Sequence, residues 1–269
     1  MVDMEHSSLQ IRASDASHVP KRGIHRHDHY EILIIRNGAG VHMVDFEYYE
    51  VCSNQVFFLR PGQTHQFLPK KDSEFFFVAF DQVDMIQPFT LKQFEFFQSF
   101  YCSGPVQLDE VESIIKHIID IQYELQHPGA MQSVLISGLV TVLLIKIQRK
   151  FAQYADQPFH KTNELVAKFN QMIDDPACLF RFVKEFASQL HVSPTYLNDT
   201  IRQATGKSAS HWINKKQINA SKQMLLDHNM NLKVIASTLG FTDATHFSRF
   251  FKTHTQQTPS DYRDQLLHQ

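Results

Sequence analysis

The chain has 269 residues, 43% of them hydrophobic and 20% charged, enough apolar matter for packed cores and more length than one small domain needs. Only nine glycines are present, which excludes collagen-like and low-complexity classes. The formal net charge of -2 hides an asymmetry: residues 1–159 carry 13 Lys and Arg against 19 Asp and Glu, whereas residues 160–269 carry 13 against 9. A basic part joined to an acidic part signals two domains, and the basic one is the candidate for phosphate contacts.

In chain order, residues 1–20 are polar and aperiodic, as expected of an arm or a loosely docked strand. From Arg26 to about Phe80 the signals are those of β-structure. HYEILIIRN ends at Asn37-Gly38, a hairpin-turn dipeptide. GVHMVDF, YYEV and VFFLR follow, then a turn at Pro61-Gly62, then HQFL and EFFFVAF. Short strands with turn residues between them predict an antiparallel sandwich or barrel, with EFFFVAF in its core.

From about Leu108 the period becomes helical. Val111, Ile114, Ile115, Ile118 and Ile121 form one stripe, and His127-Pro128-Gly129 ends it. A second helix is expected over residues 131–151, apolar on more than one face. Its most apolar run, residues 134–147, falls short of the roughly 18–20 residues that cross a bilayer, so a buried helix is expected. The pair is a candidate dimer contact. Residues 153–160 are the expected linker, which divides the chain into residues 1–155 and 156–269.

Three dispersed cysteines, Cys52, Cys102 and Cys178, lack a C-x-x-C pair, excluding a disulfide framework and a cysteine-based zinc finger. With no apolar leader at the N-terminus, a cytoplasmic protein without membrane partners is expected.

The remainder reads as helical and contains an internal repeat. Ala187 and Leu190 match Ala236 and Leu239, 49 residues on. Leu197, Arg202 and Trp212 match Phe247, Lys252 and Tyr262, 50 residues on. The second copy therefore has one extra residue in its turn. Each copy runs helix, short turn, capped helix. Ser193-Pro194 supplies one N-cap, and Thr242 or Asp243 the other. Leu190, Val192, Leu197 and Ile201 are expected in one core, and Leu239, Phe241, Phe247 and Phe251 in the other.

This is helix-turn-helix geometry, whose second helix offers an exposed N-terminal face to the major groove. On the first copy that face is expected to hold Thr195, Tyr196, Asn198, Asp199 and Arg202. On the second it is expected to hold Ala244, Thr245, His246, Ser248, Arg249 and Lys252. Arg249 suits guanine, Asn198 adenine and the Ala244 methyl thymine, with Arg202 and Lys252 on phosphates.

The segment from about Leu165 to Gln265 resembles the AraC/XylS-type transcription regulators. IASTLGFTDATHFSRFFKTHTQQTPSDYR matches the second helix-turn-helix of that family and its closing motif at Thr258, Pro259, Tyr262 and Arg263. The resemblance implies two helix-turn-helix units joined by a long helix, here about residues 211–226, that enter successive major grooves about 34 Å apart. Two residues depart from the family pattern. Asp199 stands where a non-acidic residue, often arginine, is usual, and Gln256 stands where glycine is usual. An acidic side chain near phosphates costs affinity, so the first recognition helix is expected to contribute less than the second.

The N-terminal part resembles the cupin-type sensor barrel of such regulators. His25-x-His27-x-x-x-Glu31 with Gly38 is similar to the first cupin motif, and Pro61-Gly62-x-x-His65 to part of the second. The resemblance implies an α+β protein of two domains: a cupin-like antiparallel β-barrel with a helix pair, then an all-α domain with two helix-turn-helix units. In metal cupins His25, His27, Glu31 and His65 would be ligands suited to a divalent transition metal. In regulator barrels the same positions are often polar lining for a small-molecule effector. The regulator reading expects no resident cofactor and no catalysis. His29 and His42 are expected to point away from the cluster.

The implied function is a DNA-binding transcription regulator responsive to a small molecule. Its expected partners are double-stranded DNA, the effector, a second copy of the chain and RNA polymerase. The alternatives are a metal-dependent cupin enzyme fused to a DNA-binding domain, and a ligand-independent DNA-binding protein.

Overall fold

Alternating apolar positions organise the N-terminal part into eight strands, seen in a computed structural model that describes residues 9–15, 23–80, 104–154, 164–175, 177, 178 and 180–267. They are β1 (Leu9–Asp15), β2 (Tyr30–Asn37), β3 (Ala39–Val44), β4 (Glu47–Cys52), β5 (Gln55–Leu59), β6 (His65–Pro69), β7 (Glu74–Phe80) and β8 (Val106–Gln107). A five-stranded sheet has the order β1-β7-β2-β5-β8, and a three-stranded sheet the order β4-β3-β6. Every pairing is antiparallel, as the turn spacing predicts. The expected N-terminal arm is in part β1, docked on β7. Residues 1–8 and 16–20 lie outside the described residues.

The hairpin expected at Asn37-Gly38 does not form. β2 belongs to the large sheet and β3 to the small one. Gly38, at φ 136°, turns the chain from one sheet to the other, and a Cβ there would collide with Ser73 Oγ. Asn-Gly supplies the unusual backbone dihedral but carries no information about which sheet the next strand joins. The hairpin between consecutive strands is instead β3–β4, closed by Asp45 and Phe46 with φ of 51° and 63°.

Side chains alternate between two cores. Leu33, Ile35, Phe57 and Phe75 fill the space between the sheets with Val51 and Phe67. Ile32, Ile34, Val78 and Phe80 point the other way, onto α1 (Glu112–Gln126) and α2 (Gln132–Tyr154). β2 and β7 are thus covered on both faces, which accounts for the unbroken apolar run in EFFFVAF. The α1 stripe of Val111, Ile114, Ile115, Ile118 and Ile121 is fully buried. It meets Val140, Leu143, Leu144 and Ile147 of α2, at helical spacing.

Helix α2 extends beyond the densest apolar run, residues 134–147. The helix has 23 residues, and a 19-residue window, Gln132–Lys150, is long and apolar enough to cross a membrane by length and composition. Counting only the densest apolar run missed this, because the window admits Gln132, Ser133, Gln148 and Arg149 at its ends. Val134, Leu135 and Val142 of this helix are exposed.

The chain divides into two compact units, Met1–His160 and Lys161–Gln269. Most of the expected linker, residues 155–160, lies outside the described residues. The second unit holds α3 (Glu164–Asp174), α4 (Val183–Gln189), α5 (Pro194–Thr205), α6 (Ala209–Leu225), α7 (Leu232–Thr238), α8 (Ala244–Thr255) and α9 (Pro259–Leu267). Helix α6 is the long joint. It packs against α4 and α5 on one side of the repeat and against α7, α8 and α9 on the other.

Candidate functional site

Two capped helices carry the repeat. Ser193 Oγ accepts from the Tyr196 amide at 3.1 Å, and Pro194 opens α5. Of the two expected caps for α8, Asp243 is the one used. Its Oδ1 accepts from the Thr245 and His246 amides, both at 2.8 Å. Thr242 instead pairs with the His246 ring, Oγ1 to Nδ1 at 2.6 Å. The α4–α5 turn has His191 at φ 56° and the α7–α8 turn has Gly240 at φ 74°. The first turn has four residues and the second five, so the extra residue lies where the repeat offset places it.

Burial divides the candidate faces. Thr195, Tyr196, Asp199 and Arg202 are exposed on α5, and Thr245, His246, Arg249 and Lys252 on α8. Each pair is separated by 50 residues, so both helices present the same i, i+1, i+4, i+7 face. Asn198, Ala244 and Ser248 were expected on these faces but are half-buried. The Asn198 Oδ1 accepts from the Ser210 amide at 3.4 Å, and Ala244 packs on the second core. They sit one step round the helix, at the edge that meets the bundle. Leu197, Ile201, Phe247 and Phe251 are fully buried, whereas Leu190 and Val192 are only partly so.

The N-terminal histidines form a cluster where the two sequence motifs meet. His25 and His65 exchange backbone hydrogen bonds, His25 N to His65 O at 3.0 Å and His65 N to His25 O at 2.8 Å. The Gly62 amide donates to the His27 carbonyl at 2.8 Å, so the Pro61-Gly62 turn closes on the first motif. Glu31, in β2, shares its side of the strand with Leu33 and Ile35 by period-two alternation. Donor atoms of His27, Glu31 and His65 all lie within 4.8 Å of one another. His27 Nε2 is 3.8 Å from Glu31 Oε2. The His25 ring lies 4.3 Å from that of His65 and 6.4 Å from that of His27.

Neither His29 nor His42 points away from this cluster, contrary to expectation. The His29 ring stacks on His27 at 4.0 Å. His42 is fully buried between Phe57 and Phe67, with Nε2 3.3 Å from His65 Nδ1. The signal for His42 is its pairing opposite Phe67, two residues along β6 from His65. Burial pushes the pKa values down, His27 to about 4, His42 to about 3 and His65 to about 2. All three rings are therefore neutral near pH 7, each with one donor and one acceptor nitrogen.

Residues 8–139 match the family model described as an AraC-like ligand binding domain, and residues 186–265 match a helix-turn-helix domain model. The chain belongs to the AraC-type family of transcription regulators. Among similar AraC-type proteins, the uncharacterized HTH-type transcriptional regulator YfiF of Bacillus subtilis is 24% identical over 247 residues, covering 89% of this chain and 78% of the relative. The HTH-type transcriptional activator RhaS of Klebsiella pneumoniae is 24% identical over 251 residues, covering 89% and 86%. The crystal structure of ToxT from Vibrio cholerae O395 is similar at 15% identity and a TM-score of 0.43, covering 95% of this chain and 97% of that one. In AraC-type terms, the histidine cluster lies in the ligand-binding part and α5 and α8 in the helix-turn-helix part.

Proposed function

We propose that residues 156–269 read two adjacent major-groove segments of one duplex through α5 and α8, and that residues 1–155 sense a small molecule and dimerise. The observation that carries this reading is the matched exposed face of the two helices, residue for residue at an offset of 50. On it, Arg249 suits bidentate contact with guanine, while Arg202 and Lys252 suit phosphate. Thr195, Tyr196, Thr245 and His246 lie at the helix N-termini that point into a groove. The half-buried Asn198, Ala244 and Ser248 fit better as residues that set the approach of each helix than as base readers, since Asn198 already spends its carbonyl on Ser210.

The effector enters the unit that holds His25, His27, Glu31 and His65 and shifts the equilibrium between two presentations of the DNA-binding halves. The α1–α2 pair is the dimer contact, and RNA polymerase is the partner on which a bound regulator acts. The protein performs no catalysis and works in the cytoplasm, a reading supported by relatives that are named as transcription regulators.

Selection of bound genomic DNA with the purified protein tests this. The expected outcome is an enriched operator with two contacted segments about one helical turn, roughly 10 bp, apart. Enrichment of a single short segment, or of none, would overturn the two-helix reading.

A further inference from the structure

We propose that His246 meets a DNA phosphate as the imidazolium ion, so that the chain takes up a proton from water when it binds a duplex. The inference rests on the proposed reading of DNA by α8 and goes beyond it, because it assigns a charge state to one contact and a pH dependence to binding.

The geometry begins at the start of α8. The Asp243 carboxylate caps the helix with Oδ1, which accepts from the Thr245 and His246 amides. Its other oxygen, Oδ2, faces the His246 ring, 3.4 Å from Nδ1. Thr242 Oγ1 lies 2.6 Å from the same Nδ1 and 3.5 Å from Asp243 Oδ2. A carboxylate only accepts, so the hydroxyl hydrogen turns to Oδ2 and Thr242 Oγ1 accepts from His246 Nδ1–H. Nδ1 therefore keeps its hydrogen in both charge states, and Nε2 is the nitrogen that gains or loses the proton. The His246 side chain is 59% exposed, so water and a phosphate can both reach it.

Two negative charges then favour a proton on Nε2. The first is Asp243. The His246 amide above all, with the charge of the His246 ring and the Thr245 amide, holds the Asp243 carboxyl below the usual carboxylate range. It is thus ionised throughout the range in which histidine titrates. The second is the duplex, with one negative charge per roughly 1.7 Å of its axis. An imidazole titrates near neutrality, so a new anion beside it changes its charge at ordinary pH. Protonation also eases the approach of the helix, since it offsets the Asp243 charge that would otherwise repel phosphate.

The surrounding charges place the uptake at the binding step. Arg249 and Lys252 share the exposed face of α8 with His246. They oppose a third cation in the free chain, and phosphates that neutralise them remove that opposition. Of the elements packed against α8, α6 brings Lys222, which lies over Tyr262, and α9 brings Asp261, which interacts with Lys252. Lys233 stands at the far end of α7, and Arg181 lies over Phe241. Among the described residues, Asp243 is the ion-pair partner of His246. At the same offset of 50, α5 has Ser193 and Tyr196, a hydroxyl and a phenol without the carboxylate, so the uptake is assigned to α8 alone.

The test titrates the full chain with two duplexes at fixed salt, from about pH 8 to about pH 6. One duplex is enriched by the genomic selection and the other is random in sequence. Affinity for both is expected to rise about fivefold toward the acid end, since a phosphate contact carries no sequence information. His246→Gln is expected to keep the alkaline-end affinity throughout. His246→Arg, whose charge is fixed, is expected to hold near the acid-end affinity throughout. Parent and variants share one sensor unit, so its own response to acid cancels from the comparison. Circular dichroism of each variant confirms that it is folded. Equal pH dependence in the parent and in folded His246→Gln would overturn this inference and leave the reading of DNA by α8 intact. A dependence confined to the selected duplex would overturn the phosphate contact, and failure to bind either duplex would overturn both proposals.

Discussion

The Arg181 guanidinium sits over the Phe241 ring, 3.5 Å from its centroid, and its Nη1 donates to the Gly240 carbonyl at 3.1 Å. Arg181 precedes α4, whereas Gly240 and Phe241 form the turn between α7 and α8. One side chain thus ties the entrance of the first helix-turn-helix to the turn of the second. Together with α6, it links the two helix-turn-helix units, α4–α5 and α7–α8.

Replacing Arg181 by methionine keeps an apolar stem and removes the charge and the donor. The expected loss is about 1 kcal/mol of stability in the second unit, from the cation–π contact and the hydrogen bond. Denaturant unfolding measures it. Affinity for a two-segment operator is expected to fall more than affinity for either segment alone, as read by titration of both duplexes.

Asp199 and Arg249 occupy equivalent positions with opposite charge. Arg249→Ala is expected to cost about 1–3 kcal/mol of operator binding and to relax selectivity at one base pair. Lys252→Ala is expected to weaken all sequences alike and to lower the salt slope by about one. Asp199→Ala is expected to leave affinity unchanged or raise it, because it removes a negative charge from the exposed face of α5 that is proposed to meet DNA. A fall in affinity on salt titration would contradict that view and point to cytosine as the partner of Asp199.

Gln256 caps α8 in the left-handed region at φ 64°, where α5 ends on Gly206 at φ 72°. A side chain pays a strain there of roughly 1 kcal/mol. Gln256→Gly is expected to raise stability by about that amount, despite losing the Nε2 donation to the Thr253 carbonyl. Thermal unfolding would show a rise of several degrees; an unchanged or lower midpoint would refute the strain argument.

The buried histidines make the sensor unit acid-sensitive. In the unfolded chain each takes up a proton near pH 6.5. In the folded chain His42 and His65 stay neutral until about 3 and about 2, chiefly because burial opposes the charge, and the neighbouring His42, His25, His27 and His29 reinforce this at His65. Between those limits the unfolded state binds more protons, so stability is complete above pH 6.5 and is lost as pH falls below it. The slope per histidine is on the order of 1 kcal/mol per pH unit. Unfolding midpoints at pH 7.5, 6 and 5 test this; a midpoint independent of pH would remove it.

Ile119 and Tyr123 of α1 and Val134, Leu135 and Val142 of α2 are exposed apolar side chains on the helix pair. Paired Leu135→Glu and Val142→Glu substitutions are expected to turn a sedimenting dimer into a monomer while the fold is kept. A parent protein that is strictly monomeric at tens of micromolar would remove the dimer assignment.

Much of the helix-turn-helix half was legible because its determinants are local. Ser193-Pro194 and the pair Thr242-Asp243 state where α5 and α8 begin, with the choice of Asp243 left to the structure, and the buried positions Leu197, Ile201, Phe247 and Phe251 follow from a period of 3.6. The half-burial of Asn198, Ala244 and Ser248 was not legible, since the width of an exposed face depends on what packs beside it. In the N-terminal half, the α1 stripe was likewise visible as a spacing.

The chain alone determined most of the strands, the helix pair and the tandem repeat with its capped helices, because each is written within a few neighbouring residues. Only the tertiary structure decided that β2 and β3 part into different sheets at Gly38, and that His42 turns in to stand behind His65. Those outcomes depend on contacts between distant segments, such as the Gly62 amide on the His27 carbonyl and the backbone pair of His25 with His65. The energy of such contacts is set by what closes against each strand, and no local pattern of residue types encodes it.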